Sequence, residues 1–402
     1  MHRDFSLSEE HKLRVLGLSS RPTLLCLSHL RWEFVYQRPQ HLMSRAAADY
    51  DVYFFEEPVF EPTGSPRLAS TLHSNGVTVV VPVLRSGCKP REWARRQREL
   101  LDGLLGKIRP EKLIAWYYTP FALTFSRHLV PDLCVYDNMD ELSAFRGAPP
   151  ELVVLERELF LKADVVFTGG HSLYEAKRRR HHNIHPFPSS IEVSHFANAR
   201  RSMTVPPDQA RIGGPRLGFF GVIDERMDLD LVAGIADSRP CWQLVMIGPV
   251  VKIDPATLPL RPNLHWIGPR DYRELPAYLA GWDVAIMPFA INEATRFISP
   301  TKTPEYLAGG VPVVSTPITD VVRPYGERGF VEIAGDAAGF VAKAAALMQR
   351  PKERWLAEVD DYLAATSWDD TWARMKELAR ACPVNDRRHP ERRATAAATL
   401  RA

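Results

Sequence analysis

A short segment near residue 300 combines the residue types that bind a diphosphate and a ribose. It reads Ser299-Pro300-Thr301-Lys302-Thr303-Pro304-Glu305-Tyr306-Leu307-Ala308-Gly309-Gly310. Ser299 can cap a helix that begins at Pro300, and a start at Thr303–Pro304 is the competing register. Free helix amides beside Lys302 attract phosphate oxygens, and Glu305 lies on the same helix face and can accept hydrogen bonds from two ribose hydroxyls. We therefore predict a donor-binding site at Ser299, Thr301, Lys302 and Glu305, against the alternative of a capped surface helix with an ion pair.

A second candidate follows an apolar strand in the same half of the chain. The segment Gly218–Arg226 ends its strand at Gly221 and carries Arg226 in the loop before the next helix. Glycine allows a ligand to approach the backbone closely, and arginine can hold a diphosphate with two parallel hydrogen bonds. Gly221 and Arg226 are therefore predicted donor-binding residues, although a strand-ending glycine also occurs in ordinary turns.

Three carboxylates follow a strand in the first half of the chain. Asp137, Asp140 and Glu141 come at or just after the apolar run Leu133–Val135. A carboxylate at this position can take a proton from an acceptor hydroxyl or orient it. Helix capping or a solvated loop is the alternative for each of them.

Polar and aromatic residues also follow the first strand. His29, Trp32 and Arg38 lie within fifteen residues of its start at Thr23 and suit contacts to a sugar or a pyrophosphate. Packing of the loop by Trp32 and Phe34 is an equal alternative. We treat His29, Trp32, Arg38, Asp137 and Glu141 as acceptor-side candidates.

Short continuous apolar runs alternate with helical patterns along the chain, which predicts parallel strands covered on both faces. The predicted strands are Thr23–Ser28, Val52–Glu56, Val77–Val81, Leu113–Tyr117, Leu133–Asp137, Val165–Thr168, Ile184–Phe187, Arg216–Phe220, Gln243–Ile247, Asn263–Ile267, Asp283–Met287, Pro312–Ser315 and Phe330–Ile333. The predicted helices are Gln40–Ala48, Glu92–Gly106, Glu151–Lys162, Leu173–Arg180, Asp228–Ala236, Tyr272–Ala280, a segment ending near Ala308, Ala337–Gln349, Lys352–Ala365 and Trp368–Ala379.

The polar segment Ser194–Pro215 interrupts this alternation and is predicted to be a linker between two α/β domains. We predict an N-terminal Rossmann-like domain over 1–200, a C-terminal one over 201–365, and a disordered tail over 381–402. Ligands in open α/β sheets bind beyond the carboxyl ends of the strands, so two facing sheets would form a cleft there.

Bulk composition excludes several classes of protein. The 402 residues carry a formal charge of only +3, which does not favour nucleic acid as a partner. No run reaches the roughly 18 apolar residues of a membrane span, and residues 1–21 lack the apolar stretch of a signal peptide. The five cysteines are too far apart for a zinc site or a disulfide framework. We therefore expect a cytoplasmic protein.

At these residues the chain resembles the retaining GT-B glycosyltransferases of the family 4 type. The resemblance rests on Pro300-Thr301-Lys302, on Glu305–Gly310 and on Pro312-Val313-Val314. Weaker similarity over Ser28–Leu42, Tyr136–Phe145 and Val165–Lys177 resembles a bacterial subgroup that makes exopolysaccharide or teichuronic-acid-like polymers.

The resemblance implies two facing Rossmann-like domains, with the last helix, 366–380, crossing back to the first domain. Glu305 would bind the donor ribose, and Arg226 and Lys302 would hold the diphosphate and stabilise the leaving group. Asp140 would activate the acceptor. The donor would be a UDP- or GDP-linked sugar, the acceptor a saccharide or a lipid-linked saccharide, and neither a cofactor nor a metal would be needed.

Three departures from the family pattern stand in this sequence. The family has a glutamate eight residues before the one at Glu305, and here that position is Phe297. Val222 and Met227 occupy the places of an arginine and a lysine, so Arg226 is a substitute by proximity. Acidic residues replace the histidine that the family often carries on the acceptor side.

Two clusters of basic residues in the N-terminal half could contact an anionic membrane surface or a lipid-diphosphate acceptor, and a solvated charged face is the alternative. The clusters are Arg91, Arg95, Arg96 and Arg98, and Lys177, Arg178, Arg179 and Arg180. A peripheral position at the inner face of the cell membrane would follow from such a contact. A non-catalytic GT-B component of a polysaccharide assembly system and, less favoured, a nucleotide-sugar epimerase are the competing functions.

Overall fold

Two mainly parallel sheets organise the computed structural model, which describes residues 21–87 and 89–383. The first is nine-stranded, in the order β3-β5-β2-β1-β6-β7-β8-β9, with β4 paired antiparallel to β5. Its strands are β1 (Thr23–Leu27), β2 (Asp51–Phe55), β3 (Val59–Glu61), β4 (Arg67–Leu72), β5 (Val77–Arg85), β6 (Leu113–Tyr117), β7 (Leu133–Asn138), β8 (Val165–Thr168) and β9 (Ile184–Pro186).

The second sheet is six-stranded and parallel throughout, in the order β12-β11-β10-β13-β14-β15. Its strands are β10 (Arg216–Phe220), β11 (Gln243–Ile247), β12 (Leu264–Gly268), β13 (Val284–Met287), β14 (Val313–Ser315) and β15 (Val331–Ile333).

Helices cover both faces of each sheet. The α-helices are α1 (Arg38–Ala46), α2 (Pro90–Ile108), α3 (Leu123–Ser126), α4 (Glu151–Lys162), α5 (His171–Lys177), α6 (Val193–Phe196), α7 (Pro207–Ala210), α8 (Leu229–Ser238), α9 (Leu275–Leu279), α10 (Lys302–Ala308), α11 (Thr319–Val321), α12 (Ala337–Gln349), α13 (Glu353–Leu363) and α14 (Trp368–Ala381). Shorter helical turns are Pro120–Ala122, Leu142–Ala144, Ala197–Arg200, Pro255–Thr257, Tyr272–Glu274 and Val322–Gly326.

The strand β1 shows why the chain folds into layers. All five of its residues are buried, and alternate side chains enter different cores. Leu24 and Cys26 belong to the core beneath α1 and α14, whereas Leu25 and Leu27 belong to the core beneath α2 and α4. A continuous apolar run is therefore required, because both faces of the strand are covered.

The last helix, α14, leaves the C-terminal domain and packs on the N-terminal one. Ser367 caps it by accepting a hydrogen bond from the amide of Asp370 at 3.0 Å. Trp368 stacks on His41 with ring centroids 4.7 Å apart, and Trp372 packs against Trp116 at 5.9 Å. The crossing predicted for 366–380 is confirmed, and Ala381, assigned to the tail, is the last residue of this helix.

Several predicted boundaries need correction. The strands β3 and β4 were not predicted, because neither has the continuous apolar run of the buried strands, and β4 lies at a sheet edge. The predicted linker Ser194–Pro215 contains short helical segments, and Phe196 within it is fully buried. The predicted helix Tyr272–Ala280 is a 3₁₀ turn followed by α9. The rest of the predicted tail, 384–402, lies outside the described residues.

Removing the indole that anchors α14 tests whether the crossover helix stabilises the N-terminal domain. We expect Trp368→Ala to lower the free energy of unfolding by about 3–5 kcal/mol, because a buried aromatic ring is lost from a packed core. Urea unfolding followed by circular dichroism measures the effect. Leu161→Ala is the control, because that side chain is 87% exposed and should change stability by no more than about 0.5 kcal/mol. Equal effects of the two substitutions would contradict the packing role.

Candidate active site

A cleft lies between the domains, at the carboxyl ends of the strands of both sheets. Its larger cavity has a volume of about 730 Å³ and lies between loop residues 32–36 of the N-terminal domain and the segments after β10, β11 and β12. A smaller cavity of about 100 Å³ adjoins it, and Val35 and Lys302 line both. The two cavities therefore form one continuous site.

Hydrogen bonds between the domains border this cleft. The amide of Ser172 donates to the Asp320 carboxylate at 2.9 Å, and the amide of Arg146 donates to the Glu225 carboxylate at the same distance. The Ser189 hydroxyl donates to the Ser299 carbonyl, also at 2.9 Å. These bonds hold the domains with their strand ends facing each other.

The helix α10 presents the predicted donor residues to the cleft. It begins at Lys302, between the two predicted starts, and Thr301 is its N-cap with no side-chain capping bond. The helical backbone already reaches Thr301, whose carbonyl accepts from the Glu305 amide at 3.2 Å. Pro304 fits within the first turn because its missing amide hydrogen would have no partner inside the helix. Ser299, Thr301 and Lys302 all line the smaller cavity.

The lysine of this helix lies directly against the end of β10. Gly221 has a φ of +151°, and a β-carbon added there would lie 2.7 Å from Cε of Lys302. The positive φ favours glycine at this strand end, and a larger residue would also displace the end of the lysine side chain. Burial lowers the pKa of Lys302, with Arg226 acting in the same direction and Glu305 opposing it. A bound anion would stabilise the charged ammonium and reverse this shift.

Glu305 lies one turn further along α10 and lines the larger cavity. Its side chain is buried, and burial raises its pKa to about 7, with the Glu192 carboxylate adding to the increase and Lys302 opposing it. Hydrogen-bond donors from a ligand, such as ribose hydroxyls, would stabilise the ionised form.

Arg226 is held in place by a carboxylate of its own loop. Its Nε lies 2.9 and 3.1 Å from the two oxygens of Asp224, and its Nη2 donates to Asp224 at 2.8 Å. The guanidinium also lies 5.5 Å from the ring centre of Phe145, which belongs to the N-terminal domain. Arg226 lines the smaller cavity together with Asp140. Asp224 was not identified from the sequence as the residue that orients this arginine.

Asp140 faces this cationic wall from the N-terminal domain. Burial raises the pKa of its carboxyl, and the positive charges of Arg226 and Arg38 oppose the increase. The backbone around it is fixed by a 2.9 Å hydrogen bond from the side-chain amide of Asn138 to the Asp140 carbonyl. A carboxylate here, opposite Lys302, can orient or deprotonate a hydroxyl that enters the smaller cavity.

Three acceptor-side candidates form ion pairs within the N-terminal domain. Asp137 is fully buried and accepts from Arg38, with the Nη2–Oδ1 distance at 2.9 Å. Arg38 also donates to the Phe187 carbonyl at 2.7 Å, although it still lines the smaller cavity. Glu141 pairs with the buried Lys177 at 2.5 Å. Asp137 and Glu141 line neither cavity of the cleft and fix the strand end that carries Asp140.

The pairing of Lys177 also corrects one of the predicted basic clusters. This lysine is 6% exposed and contacts Glu156 at 2.9 Å as well as Glu141. Arg180 pairs with Glu156 too. These two cations are therefore internal partners of carboxylates and contribute little to an exposed basic surface.

The remaining acceptor-side candidates are separated by the structure. Trp32 lines the larger cavity and packs edge-on against Phe54 at 5.0 Å. His29 lines neither cavity of the cleft; its Nδ1 is buried without a partner, and burial together with the charge of Lys252 lowers its pKa to about 4. His29 is therefore neutral near pH 7.

A cluster of aromatic and acidic residues in the larger cavity was missed from the sequence. The Tyr272 hydroxyl donates to Glu192 at 3.0 Å, and His195 stacks on Tyr272 with centroids 4.5 Å apart. Tyr36 packs on the same tyrosine at 4.9 Å. These residues come from three separate segments without a shared motif, so only the fold brings them together.

Neither a metal cluster nor a membrane span is found in the described part of the chain. Residues 21–87 and 89–383 contain no group of three or more His, Cys, Asp or Glu side chains positioned to hold a metal ion. Among the helices of these same residues, none combines the length and the apolar character needed to cross a bilayer.

Solved structures with the same architecture cover nearly all of this chain. Sucrose-phosphate synthase from Thermosynechococcus elongatus matches 90% of it and 98% of its own chain, at 15% identity and a TM-score of 0.68. An E. coli structure described as trehalose-6-phosphate bound with UDP-2-fluoro glucose matches 90% of this chain and 100% of its own, at 13% identity and a TM-score of 0.65. HepE of Anabaena, in complex with UDP and glucose, matches 90% of this chain and 100% of its own, at 11% identity and a TM-score of 0.62. This chain has the GT-B fold.

Sequence comparisons agree with this GT-B architecture. Residues 214–350, which hold the second sheet and α10, match the family model described as Glycosyl transferases group 1. A Bacillus subtilis (strain 168) protein, TuaH, is 26% identical over 255 residues. Its name provisionally assigns it to teichuronic acid biosynthesis as a glycosyltransferase. That match covers 57% of this chain and 63% of the relative, less than two thirds of its length.

The buried ion pair of Arg38 and Asp137 is predicted to stabilise the acceptor side of the N-terminal domain, and breaking it tests this role. We expect Arg38→Met to lower the free energy of unfolding by about 3–5 kcal/mol, because it leaves Asp137 buried and uncompensated. Arg273→Met is the control: it breaks an arginine–aspartate pair whose arginine is 85% exposed, and it should cost less than about 1 kcal/mol. Urea unfolding measures both, and equal losses would refute the structural role.

The raised pKa of Glu305 predicts a pH-dependent effect of Glu305→Gln. Because the folded-state pKa of about 7 exceeds the ordinary value of 4.5, ionisation of Glu305 costs nothing below pH 4.5 and its full penalty above pH 7. The variant should therefore gain stability relative to the wild type as pH rises through this window, by up to about 3 kcal/mol. Thermal unfolding at pH 5 and pH 8 measures the gain. A difference that is the same at both pH values would contradict the assignment.

Proposed function

We propose that this protein is a glycosyltransferase that moves a sugar from a nucleotide diphosphate donor to a saccharide or lipid-linked acceptor in the synthesis of a cell-surface polysaccharide. The observation that carries the proposal is the position of Lys302 against Gly221, with Glu305 one helical turn away in the same cleft. A diphosphate needs a cation and close backbone approach, and a ribose needs an acceptor for its hydroxyls. The match of residues 214–350 to a glycosyltransferase family supports the same function.

The donor would lie along the C-terminal wall of the cleft. The diphosphate would bind at Lys302, Gly221 and the Nη atoms of Arg226, and the ribose at Glu305. Ser299 and Thr301 would add hydrogen bonds beside the phosphates. Two structural neighbours are described with UDP-2-fluoro glucose and with UDP and glucose, so UDP is the first nucleotide to test and GDP the second.

Transfer breaks the bond between the donor sugar and the diphosphate and forms one to the acceptor oxygen, while the acceptor proton leaves. Lys302 and Arg226 would stabilise the negative charge that develops on the leaving diphosphate, without a metal ion. Asp140, which faces them across the smaller cavity, would take or orient the acceptor proton. Retention of configuration is part of the proposal through the family resemblance.

A non-catalytic GT-B component that binds nucleotide is the second candidate. The specific observation in its favour is Phe297, which occupies the place where the family has a glutamate for the donor sugar. The aligned cations and the acidic residue across the cleft favour the enzyme. We further propose a cytoplasmic location at the inner face of the membrane, where lipid-linked acceptors would be available.

Nucleotide binding tests the donor site. We expect one of UDP, GDP and ADP to raise the thermal unfolding midpoint, since ligand at one hundred times its dissociation constant stabilises the native state by about 2.7 kcal/mol. Lys302→Ala should remove most of this shift because the diphosphate loses its closest cation. The exposed Lys352 of the same domain provides the control variant Lys352→Ala, which should bind normally. No shift with any nucleotide would count against both candidate functions.

Catalysis is tested separately at Asp140. We expect Asp140→Asn to keep the nucleotide-induced thermal shift and to lower transfer of radiolabelled sugar into a membrane extract by about 10²–10⁴-fold, the range for a lost general base. Asp102→Asn, at an exposed carboxylate of the same domain, should leave transfer unchanged. Normal transfer by the Asp140 variant would remove this residue from the mechanism.

A further inference from the structure

A separate cavity lies at the carboxyl edge of the N-terminal sheet, beside the cleft. Its volume is about 200 Å³. We call it the aromatic pocket and define it by six of its lining residues: Glu57, Phe60, Trp93, Gln97, Thr119 and Phe121. None of them was selected from the sequence, and none lines the cavities that hold Lys302 and Asp140.

The walls of the aromatic pocket combine exposed rings with polar groups. Phe60 and Trp93 pack with centroids 4.8 Å apart, and Phe60 and Phe121 are each 42% exposed. Gln97 is 8% exposed, and the only hydrogen bond of its side chain among the described residues is a long one of 3.4 Å to the Trp93 carbonyl. Aromatic faces beside amide and hydroxyl groups suit a ligand that is apolar on one face and polar at its edge, which is the chemistry of a sugar ring.

The aromatic pocket and the cleft share one hydrogen-bonded wall. Trp32, which lines the larger cavity, donates its backbone amide to the Glu56 carboxylate at 2.7 Å, and Glu56 lines the aromatic pocket. Arg31 closes the wall by donating to Glu56 at 3.0 Å and to the Pro58 carbonyl at 2.9 Å. The aromatic pocket therefore adjoins the larger cavity of the cleft across this wall.

The charges around the aromatic pocket restrict its ligand. The only ionisable side chains that line it among the described residues are Glu56 and Glu57. Arg31 compensates Glu56, and Arg31 and Lys252 also act on Glu57, whose pKa is raised by burial. An anionic sugar or a phosphate would find no cation among the described residues that line the pocket, whereas neutral hydroxyls can donate to a carboxylate.

We propose that the aromatic pocket binds one neutral sugar ring of an acceptor that is at least a disaccharide, while a second ring occupies the cleft. That the sugar belongs to an acceptor rests on the proposed transferase function. That the aromatic pocket binds a sugar rests on the residues of the pocket alone. Trp93 and Phe60 supply the apolar face, and Gln97 and Glu57 supply the polar contacts.

Direct binding of simple sugars tests the aromatic pocket without a known acceptor. The full chain is labelled with ¹⁵N at tryptophan, and the indole resonance of Trp93 is assigned by its loss in Trp93→Phe. Neutral methyl glycosides of glucose, galactose, mannose and N-acetylglucosamine are then titrated in. We expect at least one to shift the Trp93 resonance saturably, because the indole N–H is buried without a partner and should be sensitive to a nearby ligand. Methyl glucuronide should give no shift.

Variants and a second probe keep the result decisive. Gln97→Leu should weaken sugar binding by about tenfold while the protein stays folded. Trp266→Phe, at a tryptophan of the other domain, should leave it unchanged. Each sample also receives UDP, so that donor binding is scored independently of sugar binding. The proposal is overturned if no neutral glycoside shifts Trp93, if methyl glucuronide binds as well as a neutral glycoside, or if hexanol shifts the resonance and sugars do not.

Discussion

The burial of one ammonium group against a strand end is the constraint on which the site depends. Lys302 occupies the space that a side chain at position 221 would fill, so the lysine and the glycine must be considered together. Burial lowers the pKa of Lys302 and raises the pKa of the neighbouring Glu305. The resulting site pairs an incompletely compensated cation with an incompletely compensated carboxylate. A nucleotide diphosphate carries groups complementary to both: a diphosphate for the Lys302 ammonium and two ribose hydroxyls for the Glu305 carboxylate.

The other charges of the cleft are compensated within the protein, and this explains how the reactive ones are held. Asp224 orients Arg226, Arg38 anchors Asp137 near the end of β7, and Lys177 anchors Glu141. Asp140 lies between these two anchored carboxylates in the sequence and faces the opposite domain. A carboxylate and two cations can therefore face each other across a small cavity, because their neighbours are fixed by ion pairs with good geometry.

Much of the fold and part of the site could be predicted from the sequence. Continuous apolar runs identified the buried parallel strands, and the spacing of Lys302 and Glu305 identified a shared helix face. Local patterns could not reveal long-range partners: Arg38 and Asp137 are 99 residues apart, and Glu192 meets Tyr272 only through the fold. The edge strand β4 was not predicted because most of its residues are exposed and it has no continuous apolar run. Polar clusters after strands thus identified several residues that the fold brings to the cleft, but not which carboxylates are held in ion pairs.

The most direct test of this account is a crystal structure of the protein with UDP, or with GDP if UDP causes no thermal shift. We expect diphosphate oxygens within about 3 Å of the Lys302 ammonium, next to Gly221, with the ribose hydroxyls donating hydrogen bonds to the Glu305 carboxylate. A nucleotide bound outside the cleft, or bound within it with Lys302 and Glu305 making no contact to it, would contradict the central claim.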